Sequence, residues 1–430
     1  MGKLYGAVRS VNITPPIGMA LGGYMGRDHG SEGIMDDLFA KVLVLSDGNE
    51  KAVLVTAEVA ALDYHITKRV RNIVQKNTDI RGENIMVTAS HTHSGPNACR
   101  RESNYAWMNI GDSDVNSAYY TLLCENIANA VIWANNNLEE IKIGMGRGSL
   151  VGLGSNRQDP NKTFDSEVYV LRIDNKYDEP IAVVVNYACH PTVLSENNYF
   201  VSGDFPSYMM RGISKLYPKC EAMFIQGAAG NISSRYNRRS SGFDEARRMG
   251  EMLAGEVIKV MNTVLMVDEI DINAFNLPVE IPVRNFDPDE KCIKKIEDAK
   301  NNLDRLKKEG ASEKIMRAAV VTLQGAEINY MLKKSLDIKA FNTEMQLIKL
   351  GETVIVSVPG ELFNEIGIKI KRLSEKYHII IAGYANDYIG YILTTESYDE
   401  DNYESGVAMV GWDAEKIILE SAEKLVSMLK

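Results

Sequence analysis

The chain has 430 residues, long enough to bury a large core as one α/β unit or as two domains. Its composition, 45% hydrophobic and 25% charged, is that of a globular protein and excludes disordered and fibrous classes. A net charge of −10 argues against nucleic acid and anionic lipid as partners, because both demand a basic surface.

The first residues, Met1 to Asn12, hold no apolar signal core, and no later run approaches the ~20 apolar residues of a membrane helix. Gly2 lacks the Ser or Thr at position 6 that myristoylation requires. The cysteines (Cys99, Cys124, Cys189, Cys220, Cys292) have no paired spacing, which reads as free thiols in a reducing compartment. A cytoplasmic location without stable membrane insertion is expected.

Short β-rich runs then alternate with longer amphipathic segments. Strands are predicted at 52–57, 84–89, 181–188, 221–226, 353–358 and 378–383, and helices at 64–77, 114–136, 205–216, 241–264, 361–376 and 413–429. The alternation predicts an α/β fold of mixed β-sheets flanked by helices. Runs such as Ile181-Ala182-Val183-Val184-Val185 suit strands covered on both faces. From Asp287 to Lys334 the chain is rich in Lys, Glu and Leu around Gly310-Ala311-Ser312, which predicts a helical hairpin excursion, 287–337, within a single domain of 1–430. Dimerisation, a lid over a site, and a solvated structural excursion are its alternative roles. The sequence leaves homo-oligomerisation open.

Chemistry gathers after the strands. Strand 84–89 runs into Ser90-His91-Thr92-His93-Ser94-Gly95-Pro96, and 181–188 into Cys189-His190-Pro191. Strand 221–226 leads to Gly227-Ala228-Ala229-Gly230-Asn231-Ile232-Ser233. Strand 353–358 ends at Pro359-Gly360-Glu361, and 378–383 precedes Asn386-Asp387-Tyr388. Ligands in α/β folds sit beyond the carboxyl ends of strands, so convergence on one site is expected. His91 and His93 are two apart, which on an extended backbone points both to one side. Catalytic zinc takes imidazole and carboxylate and keeps a position open. On spacing alone, metal ligation and hydrogen-bonded capping of strand ends stand as alternatives. His29, His65 and His378 read as structural or surface residues. The small-residue loop before Ser233 can offer N–H groups to an oxyanion, with Ser233 either a nucleophile or a turn residue. Glu361 reads as the start of a helix.

Taken together, these motifs resemble the neutral/alkaline non-lysosomal ceramidases. Ser90 to Pro96 is similar to that family's Thr-His-Thr-His-Ser-Gly-Pro, and Asn12-Ile13-Thr14-Pro15 to its Asp-Ile-Thr-Pro. Asn156-Arg157, His190, Ser202-Gly203-Asp204, Asn231-Ile232-Ser233 and Val358-Pro359-Gly360-Glu361 follow in the same order. Asn386 to Tyr391, Thr394-Thr395, Tyr398 and Tyr403-Glu404 complete the series. The resemblance implies a catalytic zinc held by His91, His190, Glu361 and Tyr388. It implies His93 and Arg157 beside the metal, with Ser233 facing the scissile carbonyl and Tyr398 and Asn231 on the substrate. Attack by zinc-bound water and attack by Ser233 both remain open.

The chain also departs from that pattern. Asn97-Ala98-Cys99-Arg100-Arg101-Glu102 replaces the glycines expected after Pro96, Ser234 replaces a proline, and Asn402 replaces a glutamine. Neither a secretion signal nor a C-terminal immunoglobulin-like domain is expected. The resulting expectation is a zinc-dependent hydrolase of a small-molecule or lipid-like N-acyl amide other than ceramide. An esterase or deacetylase of a small polar metabolite, and a non-catalytic metal-binding protein, are the alternatives.

Overall fold

A computed structural model describes residues 3–99, 113–400 and 402–429 of the chain. The fold is mixed α/β, as the alternation of segments predicts. An eight-stranded sheet runs in the order Glu221–Gln226, Pro180–Tyr187, Glu167–Asn175, Glu139–Ser149, Tyr5–Asn12, Phe39–Ser46, Lys51–Ala57, Ile85–Ala89. A four-stranded sheet runs Ile272–Pro282, Ala340–Leu350, Thr353–Ser357, His378–Ala382.

Alternation along the strands explains why they are buried on both faces. Val42 and Val44 enter a core with Ile66, Val70 and Ile127 of helices Tyr64–Asn77 and Ser113–Asn135. Leu43 and Leu45, between and beyond them, point the other way, into a core shared with Ile348, Ile355 and Ile380 of the smaller sheet. Val183 and Val185 likewise face Phe205, Met209 and Leu253 of helices Asp204–Leu216 and Phe243–Met261, while Val184 faces the inter-sheet core. The two sheets therefore pack face to face with helices outside, each buried Val or Leu contributing roughly 1.5–3 kcal/mol.

Within the two large sheets most strand pairs are antiparallel, but three are parallel: Lys51–Ala57 with Ile85–Ala89, Pro180–Tyr187 with Glu221–Gln226, and Thr353–Ser357 with His378–Ala382. Parallel strands need a crossover, supplied by helices Tyr64–Asn77, Asp204–Leu216 and Asn364–Lys371. The segment 383–386 ties the three units together. The Gly383 amide donates to Gln226 (2.9 Å), Ala89 to Tyr384 (3.1 Å), Ala385 to Val358 (3.1 Å) and Asn386 to Val87 (2.8 Å).

Several strands escape a pattern-based reading. Glu139–Ser149 is charged and glycine-rich, yet it is a full strand. Its Gly144, Gly146 and Gly148 lie against Val260, Val264 and Glu256, where an added Cβ would come within 2.9 Å of its neighbours. The predicted helix 361–376 is shorter, Asn364–Lys371, and Glu361 lies instead in the two-residue strand Glu361–Leu362 paired with Tyr391–Ile392. The hairpin is present as helices Asp289–Lys308 and Glu313–Ser335. Among the described residues no helix is long and apolar enough to cross a membrane.

Candidate metal centre

The carboxyl ends of all three parallel pairs deliver side chains to one point. The chain leaves Ile85–Ala89 through Ser90, whose amide donates to Ala57 (2.9 Å), and turns at His91, φ 66°. The expectation of an extended backbone across His91 and His93 is therefore wrong. A left-handed non-glycine residue costs roughly 1–2 kcal/mol, which hydrogen bonds to Val59 and Ala60 and full burial of the flanking strand offset. The turn sets the two rings nearly perpendicular, 88°, with their Nε2 atoms 3.1 Å apart.

The tautomers follow from the partners. His91 Nδ1 lies 2.6 Å from the Ala60 carbonyl, and His190 Nδ1 2.6 Å from that of Ala229. A carbonyl only accepts, so each Nδ1 carries the proton and each Nε2 presents a lone pair. Those lone pairs face Glu361 Oε2, 3.0 Å from His190 Nε2 and 3.5 Å from His91 Nε2. Burial lowers the pKa of His190 to about 4, and burial with its two neighbouring imidazoles holds His93 well below the usual range. Burial alone would raise Glu361, but His91 and His190 bring it well below the ordinary carboxylate value. Electron-rich atoms converging in a buried site suit a cation among them.

His91, His93 and His190 offer nitrogens that all lie within 4.8 Å of one another. Backbone carbonyls fixing the Nδ1 protons are the arrangement that orients metal-bound imidazoles, so the residues present fit a metal such as zinc. Tyr388 donates to Glu361 Oε1 at 2.5 Å, and the Tyr384 hydroxyl to Oε2 at 3.4 Å. Tyr384 also stacks on His91, its ring centroid 4.1 Å away. His93 Nδ1 is buried without a partner.

The remaining expected residues surround this cluster in different ways. Ser233 is buried and bridges in parallel register to His190. Arg157 gives Nε to Glu404 at 2.5 Å and Nη2 to Tyr391 at 2.9 Å, so its charge has a fixed partner. The Asn231 amide holds the start of helix Asn364–Lys371, accepting from the Asn364 amide and donating to Glu365. Tyr398 closes a short 3-10 turn and is absent from the described residues that line the cavity beside the cluster. Arg100, Arg101 and Glu102 lie outside the described residues.

That cavity measures about 90 Å³ and is lined by His91, His93, Glu361 and Tyr388. Tyr391, from the Asn386 to Tyr391 stretch, also lines it, as do Arg27, Tyr24 and Ile328 of the hairpin, which the sequence pattern did not single out.

The family model for the neutral/alkaline non-lysosomal ceramidase, N-terminal, matches residues 6–217 and 306–418. The chain belongs to this ceramidase family. The matched blocks carry His91, His93, Arg157, His190, Glu361, Tyr388 and Tyr398, whereas Asn231 and Ser233 fall between them. The neutral ceramidase of Mycobacterium tuberculosis is 23% identical over 91% of this chain and 71% of its own length. That of Pseudomonas aeruginosa is 22% identical over 76% of this chain, which spans only 57% of that relative. The crystal structure of the P. aeruginosa neutral ceramidase superimposes with a TM-score of 0.76 at 18% identity, covering 100% of this chain and 75% of that one. A ceramidase complexed with C2 gives a TM-score of 0.75 at 16% identity. The mixed-sheet architecture is thus the ceramidase fold.

Proposed function

We propose that this chain is a zinc-dependent hydrolase of an N-acyl amide other than ceramide, with the metal held by His91, His190, Glu361 and Tyr388. The observation that carries the reading is the pair of Nε2 lone pairs set against the Glu361 carboxylate at the wall of a cavity. Zinc bound there would polarise the scissile carbonyl and acidify the attacking water. The chain's own groups do the rest. Ala60 and Ala229 hold two imidazoles in one tautomer, Tyr388 and Tyr384 fix the carboxylate, and burial keeps bulk water out. His93, its Nδ1 unpartnered, would carry a proton from the attacking water to the leaving amine as the C–N bond breaks and the water oxygen joins the acyl carbon. Ser233 beside His190 is the second candidate for the group that faces the carbonyl.

A smaller or more polar substrate than ceramide is supported by the stretch Asn97-Ala98-Cys99-Arg100-Arg101-Glu102, which stands where ceramidases carry glycines. The test is metal analysis of purified protein followed by a panel of N-acyl amides, matched esters and detergent-dispersed ceramide. About one zinc per chain is expected, most of it lost in His190→Ala, with short N-acyl amides the better substrates. Metal retained by a His91→Ala, His190→Ala double variant would remove the site. A ceramide kcat/KM more than about tenfold higher would restore that substrate.

A further inference from the structure

The cavity has two kinds of wall. Leu21, Ile328, Val407 and Met409 are apolar, and opposite in character stands Arg27, 4% exposed. Arg27 Nη1 donates to the carbonyls of His93 (2.7 Å) and Gly22 (3.0 Å), and Nε donates to that of Asn198 (3.1 Å). Its Nη2 is buried with no partner. No acidic residue pairs with it among the described residues, in contrast to Arg157, which Glu404 neutralises. Carbonyl dipoles and the Tyr24 ring, 5.0 Å from the guanidinium carbon, offset part of the cost of burying a guanidinium, but a buried cation without a counter-anion is otherwise unfavourable. Arg27 lines the cavity with that donor unpartnered, and an anion entering there would complete its set once the guanidinium turns to meet it.

The position of Arg27 says where that anion sits. It grips the backbone of His93, whose ring reaches the metal cluster and which, in the reading above, hands the proton to the leaving amine, so an anion held by Arg27 belongs to the amine half of the substrate. We propose that Arg27 binds a carboxylate on the leaving-amine half of the substrate, which makes the substrate class N-acyl amino acids. The acyl chain then lies along the apolar wall. The proposal rests on the amide-hydrolase reading above for the position of the scissile bond.

The test compares N-hexanoylglycine with its uncharged carboxamide, by calorimetry on chelator-treated protein and by kcat/KM on the zinc-loaded enzyme. Wild type should favour the carboxylate by about tenfold or more in both measurements, the range of a charge-assisted hydrogen bond. In Arg27→Gln the ratio should collapse toward one, and Arg27→Lys should restore part of it. Equal affinity for the two ligands in wild type overturns the proposal. So does a preference that survives in Arg27→Gln, or a variant that weakens both ligands alike, which would make Arg27 a backbone staple only. If calorimetry shows the Arg27-dependent preference but no N-acyl compound is turned over, the hydrolase reading falls and the carboxylate subsite stands.

Discussion

The position of His93 depends on a neighbour with no side chain. Gly23 has φ +88°, and a Cβ built on it would fall 2.3 Å from His93 Cγ. Gly23→Ala must therefore strain its own backbone and push the imidazole off the cluster. Its expected result is retained zinc with turnover reduced by about 10²-fold, the usual worth of a positioned proton carrier. His93→Ala should reproduce that loss with the metal kept. If zinc leaves together with activity in His93→Ala, His93 is a ligand rather than a proton carrier. The post-strand histidines were legible in the sequence because long apolar runs ended on them. Tyr384 had the same signal, following strand His378–Ala382, but lacked a residue type that suggests metal chemistry. Arg27 itself was not singled out: its proposed role depends on contacts to Asn198 and His93, distant in sequence.

Periodicity found the elements that cross between parallel strands and missed many of the antiparallel ones. A strand such as Val183 to Val185, buried on both faces, advertises itself as continuous β-branched sequence. One whose glycines make room for a helix, like Glu139–Ser149, does not. The hairpin was correctly expected, and it contributes Ile328 to the cavity wall. The loop after Ser233 is closed by helix Phe243–Met261, where Glu245 accepts from the Arg239 amide (2.8 Å) and pairs with Arg248 (2.6 Å). The Arg248 hydrogen bond depresses the Glu245 pKa to about 2. A depressed carboxylate contributes stability above its unfolded value, near pH 4.5, and loses it as pH falls toward 2. Urea midpoints of wild type and Glu245→Gln should therefore differ most above pH 4.5 and converge below it. A gap that ignores pH would assign the effect to packing.

The proposed ligands at positions 91, 190, 361 and 388 belong to three βαβ units joined by the short segment 383–386. Nothing local prepares the centre: each unit supplies one or two atoms, and the set closes only when the edges of both sheets have met. This is a demand on the order of events during folding. A chain leaving the ribosome exposes His91 and His190 well before Glu361 and Tyr388 exist, and long-range contacts form slowly. Metal capture should then be a late step. Refolded with zinc and a coloured competing chelator, the protein should take up metal in step with its slowest tertiary signal, and zinc drawn off during early collapse would contradict this. In a cell, the ion would act as an inspector of finished molecules, since a chain whose last strand has not docked has no complete site to offer it.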